Sequence, residues 1–293
     1  MKILVLGGTR YFGISMVEEL IRQGHDVTIA TRQHTMDSFG AAVRRIQVER
    51  TDPVSMKREL HGKQYDVVYD KIAYCSNDIK NVMEVIDCDK YIYMSSASIY
   101  EPKKMNTGED DFDGKTGDLV WCSRSDFPYD EIKRQAEYAL WQTYSNHRWI
   151  AVRYPFVIGK NDYTERLLFY VEHTMKSIPM NIDNLESQMG YIRSDEAGNF
   201  LAFLADKTLC GAVNGSAHGT ISLREIIQYV EDQTNTKAVI AADGDAAPYN
   251  GEPEYSLDIT KAEELGFRFS NLDDWIFELL DYYIHQVNSK AKH

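Results

Sequence analysis

Apolar residues along the first half of the chain gather in short runs separated by polar turns. Lys2-Ile3-Leu4-Val5-Leu6 is a run of strand formers, long enough for a buried parallel strand and far too short for a membrane span. Residues 25–31, 44–49, 66–70, 91–94 and 149–153 repeat the signal. Between them, residues 14–22, 54–60, 77–86 and 129–144 carry apolar positions at helical spacing. In the first of these the stripe is Ile14, Met16, Val17, Leu20 and Ile21. Alternation of this kind predicts an α/β fold, a doubly wound parallel sheet covered on both faces. Right-handed crossovers then put the ligand crevice at the carboxyl ends of the strands. The second half is less regular, with helices expected at 163–175, 195–205, 223–232 and 272–287 and a loop at 248–253. Residues 1–160 are expected to form the nucleotide-binding domain. Residues 161–293 should form mainly a smaller C-terminal substrate lobe, with some segments returning to the main sheet.

Gly7-Gly8-Thr9-Arg10-Tyr11-Phe12-Gly13 joins the first strand to the first helix. A turn this tight needs positive φ, and backbone approaching a pyrophosphate cannot carry a Cβ. The helix behind it offers unpaired N–H groups and a partial positive charge to an anion. Gly13 lets helix and strand pack closely. A glycine motif alone says little, but one placed after a strand, before a helix and at the start of the chain predicts dinucleotide binding.

Composition narrows the field. The chain has 293 residues, 43% of them hydrophobic, enough for one large α/β domain or a domain with a smaller lobe. A net charge of −13 repels phosphate backbones and makes nucleic acid a poor default partner. Cys75, Cys88, Cys122 and Cys210 lack zinc-finger or redox spacing and read as free thiols in a reducing compartment. The opening apolar run is too short for a secretory signal and Arg10 cuts off any extension of it, so a cytoplasmic setting is expected. The eight histidines are dispersed and no metal-ligand spacing occurs, so no metal is expected.

The glycine turn resembles that of the extended and atypical short-chain dehydrogenase/reductases, the superfamily of NAD(P)-dependent sugar epimerases and dehydratases. Its loop reads G-x-x-G-x-x-G. Gly7 and Gly13 match, and Arg10 replaces the middle glycine. The GGTR form is similar to the atypical branch that includes chloroplast stem-loop-binding proteins. The resemblance implies a Rossmann-type sheet and a cofactor held by Gly7, Thr9, Arg10, Tyr11, Phe12 and Gly13. Thr31 closes the second strand where an acidic residue holds the ribose diol of NAD. Arg32 follows it, and a guanidinium there suits a 2′-phosphate, so NADP is expected over NAD, with NAD also admissible. The run Glu49-Arg50-Thr51-Asp52 leaves open whether Asp52 meets the adenine. Ile72 and Ala73, with Tyr74 behind them, are expected against the nicotinamide ribose and phosphates.

The family's acid–base group is a Tyr-x-x-x-Lys pair with a serine or threonine after the preceding strand. Tyr129-Asp130-Glu131-Ile132-Lys133 fits, and positions four apart share a helical face. Ser95-Ser96-Ala97-Ser98-Ile99-Tyr100 resembles the family's S-S-A-x-x-Y run, which makes Ser96 the catalytic hydroxyl and puts Ser95 nearer the cofactor. A second copy, Tyr100 to Lys104, contains Pro102 and is not expected to be helical. A lysine ammonium and a bound nicotinamide in a dry cleft are expected to bring the Tyr129 phenol from about 10 to about 7. Arg153-Tyr154-Pro155-Phe156-Val157-Ile158-Gly159 resembles the family's R-x-x-x-V-x-G segment, which places Tyr154, Pro155 and Val157 beside the nicotinamide amide.

On the substrate side, residues 105–127 read as a loop flanking the substrate mouth or a surface insertion. Arg166 reads as an anion contact or a salt-bridged helix start. Asp195 is expected to cap a helix, with Arg193 near a substrate phosphate. The chain thus reads as an NAD(P)-dependent epimerase, dehydratase or reductase acting on a nucleotide sugar or another hydroxyl or keto compound. The rival reading is a catalytically silent regulatory or RNA-binding protein of the same fold. The resemblance also implies a homodimer through helices 77–86 and 129–144.

Overall fold

The computed structural model describes residues 1–34 and 36–290. In chain order its elements begin with β1 (Lys2–Leu6), α1 (Phe12–Arg22), β2 (Asp26–Thr31), β3 (Arg44–Gln47), α2 (Pro53–Leu60), β4 (Gln64–Asp70), α3 (Ser76–Met83) and β5 (Asp87–Met94). After a long connection come α4 (Tyr129–Tyr138), β6 (Trp149–Arg153), β7 (Phe156–Ile158), α5 (Arg166–Lys176), β8 (Pro179–Asn181) and β9 (Tyr191–Arg193). The chain ends with α6 (Ser194–Phe203), β10 (Gly211–Asn214), α7 (Leu223–Thr234), β11 (Val239–Ile240), β12 (Asp245–Ala246), α8 (Thr260–Glu264) and α9 (Ile276–Lys290).

Seven strands form one sheet in the order β10-β6-β5-β4-β1-β2-β3, every pair parallel. Alternating side chains of β1 go to opposite faces. Ile3 and Val5 pack with α1 and α6, whereas Leu4 and Leu6 pack with residues of α2, α3 and α4. Burial on both faces is what makes β1 continuously apolar rather than alternating. The strand order reverses between β1 and β4, and ligands of such sheets bind at that switch point.

The expected helices form, with shifted ends. The helix starting at Tyr129 stays α-helical to Tyr138 and then widens into a π turn at Ala139–Thr143. Residues 272–275 are a separate tight turn before α9. Asp52 caps α2 by accepting the Val54 amide at 2.9 Å. β10 is a strand that the sequence pattern does not mark, and it extends the main sheet beside β6. α6 returns too, and it packs on α1. Gly198 makes that contact possible, because a Cβ there would stand 2.5 Å from the Phe12 carbonyl oxygen. The rest of the second half builds its own core around Tyr170, Tyr191, Tyr249, Trp275 and Leu280.

Candidate active site

The glycine turn takes the conformation its residues require. Gly7 and Gly8 have φ of 95° and 92°, closed to most side chains. Tyr11, just before α1, also has positive φ, 57°. Its hydroxyl donates to the Val157 carbonyl at 2.6 Å, which ties the turn to β7. A Cβ on Gly13 would come within 2.9 Å of Gly8 Cα and of Lys71 Cδ and Cε, so Gly13 admits both the turn and the Lys71 stem.

Two recesses adjoin at the carboxyl ends of the strands. One, of about 420 Å³, is lined by Gly7, Thr9, Arg10, Thr31, Arg32 and Ile72, all expected to meet a cofactor. The other, of about 430 Å³, gathers Tyr11, Phe12, Ser95, Ser96, Tyr129, Lys133, Tyr154, Pro155 and Val157. Lys71, Tyr74 and Tyr163 border both. Both volumes lie in the range of small-molecule sites. A glycine cradle at a helix N-terminus, walled by Arg10, Arg32, Lys71 and Arg124, suits an anionic dinucleotide.

Two expected contacts on the first recess change. Glu49 lines it beside Arg32, so this recess does carry a carboxylate. The Thr51 amide and hydroxyl hold Glu49 at 3.1 and 2.7 Å, and these bonds keep its carboxyl below the usual range. The motif puts a carboxylate at the end of β2; here the carboxylate on this recess follows β3. Arg124 also reaches this recess, from the segment expected at the substrate mouth. It bonds Asp78 Oδ2 at 3.0 Å and the Ile72 carbonyl at 2.8 Å, and lies 4.8 Å from the centre of the Tyr74 ring. Beneath it, Arg50 is buried against Asp70 and the Asp78 carbonyl.

In the second recess Tyr129 begins α4 and Lys133 comes one turn later. Lys133 is buried and donates to the carbonyls of Ala73 at 2.9 Å and Met94 at 2.7 Å. Ala73 therefore meets the site through Lys133, and Ile72 lines the other recess. Ser96 follows β5, and its hydroxyl accepts the Ser98 amide at 3.1 Å. Burial pushes the Tyr129 phenol up to about 12, with the neighbouring Ser96 hydroxyl pulling the other way. Burial pushes Lys133 down to about 7. The expected lowering of the phenol is thus not present in the free protein. The ammonium points at backbone carbonyls, and loss of water outweighs its pull.

Some expected cofactor contacts turn inward. The Ser95 hydroxyl donates to Glu137 Oε1 at 2.5 Å. Glu137 is bonded in turn to Arg153, both side chains fully buried, and Arg153 reaches the Tyr100 hydroxyl at 2.9 Å. Burial demands these partners, so Ser95 serves a network behind the recess. The Tyr154 hydroxyl donates to the Ala197 carbonyl at 2.7 Å and its ring sits in the core. Tyr154 still lines the cleft.

Farther out, Arg166 borders the second recess and its Nε donates to Thr164 Oγ1 at 3.2 Å. Among the described residues it has no carboxylate partner, so it is not the salt-bridged helix start. Asp195 lies within the first turn of α6, where it pairs with Arg193 at 2.6 Å. Arg193 borders neither recess. Sequence reasoning misses Lys71, Arg124 and the Lys103–Glu252 pair at the recess wall. None belongs to a motif, and only the fold brings them together.

A sequence profile described as the NAD dependent epimerase/dehydratase family matches residues 3–207. The chain is 25% identical over 224 residues to the chloroplast stem-loop binding protein of 41 kDa b of Arabidopsis thaliana, covering 70% of this chain and 56% of that protein. It thus spans little more than half the length of that relative. Among solved structures it is similar to a UDP-glucose 4-epimerase of Thermotoga maritima with UDP-glucose, at 17% identity and TM-score 0.73 over 98% of this chain and 100% of that one. It is also similar to a UDP-glucuronic acid 4-epimerase of Bacillus cereus with UDP-glucuronic acid and NAD, at 18% identity and TM-score 0.73 over 98% and 100%. Among the described residues no helix is long and apolar enough to cross a membrane. With the profile spanning most of the chain, the protein belongs to the NAD dependent epimerase/dehydratase family.

Proposed function

We propose that the protein is an NAD(P)-dependent enzyme that oxidises or reduces a hydroxyl or keto carbon of a nucleotide sugar or a related small molecule. The observation that carries this reading is the convergence of Ser96, Tyr129 and Lys133 on one recess that adjoins the glycine-turn recess. A bound nicotinamide would accept or return hydride there. Gly7, Gly8, Thr9 and Arg10 would hold the cofactor's anionic part, and Tyr11 and Phe12 would border its reactive end.

Tyr129 would take or give the proton of the reacting hydroxyl, and Ser96 would hydrogen-bond the same oxygen. Burial holds the phenol high in the free protein, so a charged neighbour must bring it down for this role. Lys133 does so only when protonated, and burial has set it near 7. An ammonium gaining hydrogen-bond acceptors in the loaded cleft stays charged, and the dry site magnifies its effect. Arg166 borders the outer wall with no carboxylate partner among the described residues and would meet an anionic group of the substrate.

The family profile and the epimerase neighbours support a sugar-nucleotide substrate. Arg32 favours NADP and Glu49 on the same wall favours NAD. Titration with NADH and NADPH, followed by turnover assays on UDP-sugars, tests the reading. Failure of both dinucleotides to bind at millimolar concentration would end it. The stem-loop-binding relative supports a second reading, RNA binding, against which the net charge of −13 weighs. A salt-dependent gel shift with structured RNA would favour it.

A further inference from the structure

Lys71 comes directly after β4 and stands on the divide between the two recesses. Its stem runs past the first turn of α1, with Cδ and Cε 2.9 Å from where a Cβ on Gly13 would be. Its Nζ lies 4.0 Å from the centre of the Phe12 ring. Among the described residues it has no ion pair and no hydrogen-bond acceptor. The other lysines of the cleft are committed: Lys103 to Glu252, and Lys133 to the carbonyls of Ala73 and Met94.

An ammonium in this position is costly. Burial without a counter-charge pushes it down to about 8. A lysine kept only for packing would carry its charge out to water along its flexible stem. Lys71 instead stays in the cleft at the N-terminus of α1, which adds its own partial positive charge. Two sources of positive potential meet here, and among the described residues no carboxylate pairs with Lys71.

We propose that Lys71 is a ligand for a phosphoanhydride, the diphosphate of a dinucleotide laid across both recesses. This rests on the dinucleotide-binding reading of the cleft. A sugar nucleotide carries the same group. The position of the lysine stem against Gly13, within the glycine turn, favours the cofactor's diphosphate over the substrate's.

The test is calorimetric titration of wild type and Lys71→Met with NADH, ADP-ribose and UDP-glucose. Lys71→Gln is the second neutral variant should the first not fold, and Lys71→Arg keeps the charge. Loss of one charge-assisted contact should weaken NADH and ADP-ribose by ~10–100-fold in the neutral variants. It should also flatten the salt dependence of their binding. The arginine variant should retain most of the affinity, which a purely steric effect would not predict. If wild type binds NADH and the neutral variants bind it equally well, the assignment of Lys71 is overturned and the dinucleotide reading stands. If only UDP-glucose binding suffers, the diphosphate is the substrate's and the assignment is likewise overturned. If wild type binds neither NADH nor ADP-ribose, the dinucleotide reading itself fails, and this inference with it.

Discussion

The Lys133 ammonium lies 5.9 Å from the centre of the Tyr129 ring, close enough to act on the phenol, while its hydrogen bonds go to the Ala73 and Met94 carbonyls. The pair is arranged for chemistry, yet in the free protein each group is held in its neutral direction by burial. Tyr129→Phe removes the proton donor and leaves the packing. Turnover should fall by ~10²–10⁴-fold, the usual weight of a general acid–base group. The dissociation constant for NADH should stay within a few-fold of wild type. Undiminished turnover would remove Tyr129 from the mechanism.

Lys133 carries a pH signature. Its folded value near 7 lies below the ordinary lysine value of 10.5, so the unfolded chain holds more protons between those limits. Stability contributed by this site therefore rises with pH from about 7 upwards and is flat below. Measured against Lys133→Met, wild type should gain ~2 kcal/mol between pH 7 and pH 9 in denaturant unfolding. A difference that does not move with pH would show that the amine is charged throughout.

Arg32 and Glu49 share one wall and oppose each other in cofactor choice. Arg32→Ala should weaken NADPH more than NADH, and Glu49→Gln should do the reverse, each changing the ratio by up to ~10-fold. Paired titrations check it. Equal effects on both dinucleotides would place the adenosine ribose elsewhere.

Gly198 tests the seam between α6 and α1. The Cβ of Gly198→Ala would stand 2.5 Å from the Phe12 carbonyl oxygen and 2.7 Å from the Met16 amide nitrogen. Backbone cannot yield as a flexible side chain does, so the cost should be ~1–3 kcal/mol or more in thermal unfolding. Phe12 belongs to the glycine turn's end, so dinucleotide affinity should fall as well. A variant as stable as wild type would contradict the packing.

Much of the fold is legible in the chain itself. β6 spans the residues expected from the apolar run, and the first turn of α4 starts at Tyr129, because local pattern and tertiary burial agree there. β10 is not legible: Gly-Ala-Val-Asn is too short and too mild to stand out, and it is a strand only because β6 offers it an edge. The site divides the same way. The glycine turn and the tyrosine–lysine helix are local devices with fixed spacing. Glu49, Lys71 and Arg124 come from three separate connections, and no spacing rule relates them. The motifs place Ser95 and Tyr154 near a ligand, but their hydroxyls answer to the buried groups behind it.

One of the two parallel partners of β6 comes from residues 211–214, past the end of the region that the family profile matches. A fragment cut at residue 160 would consequently bare one flank of an apolar strand, Trp149–Arg153, to other molecules. It would also leave the Tyr100 hydroxyl, which accepts from Arg153, without its own acceptor, Asn214 Oδ1. Such a fragment should form aggregates rather than a small soluble nucleotide binder.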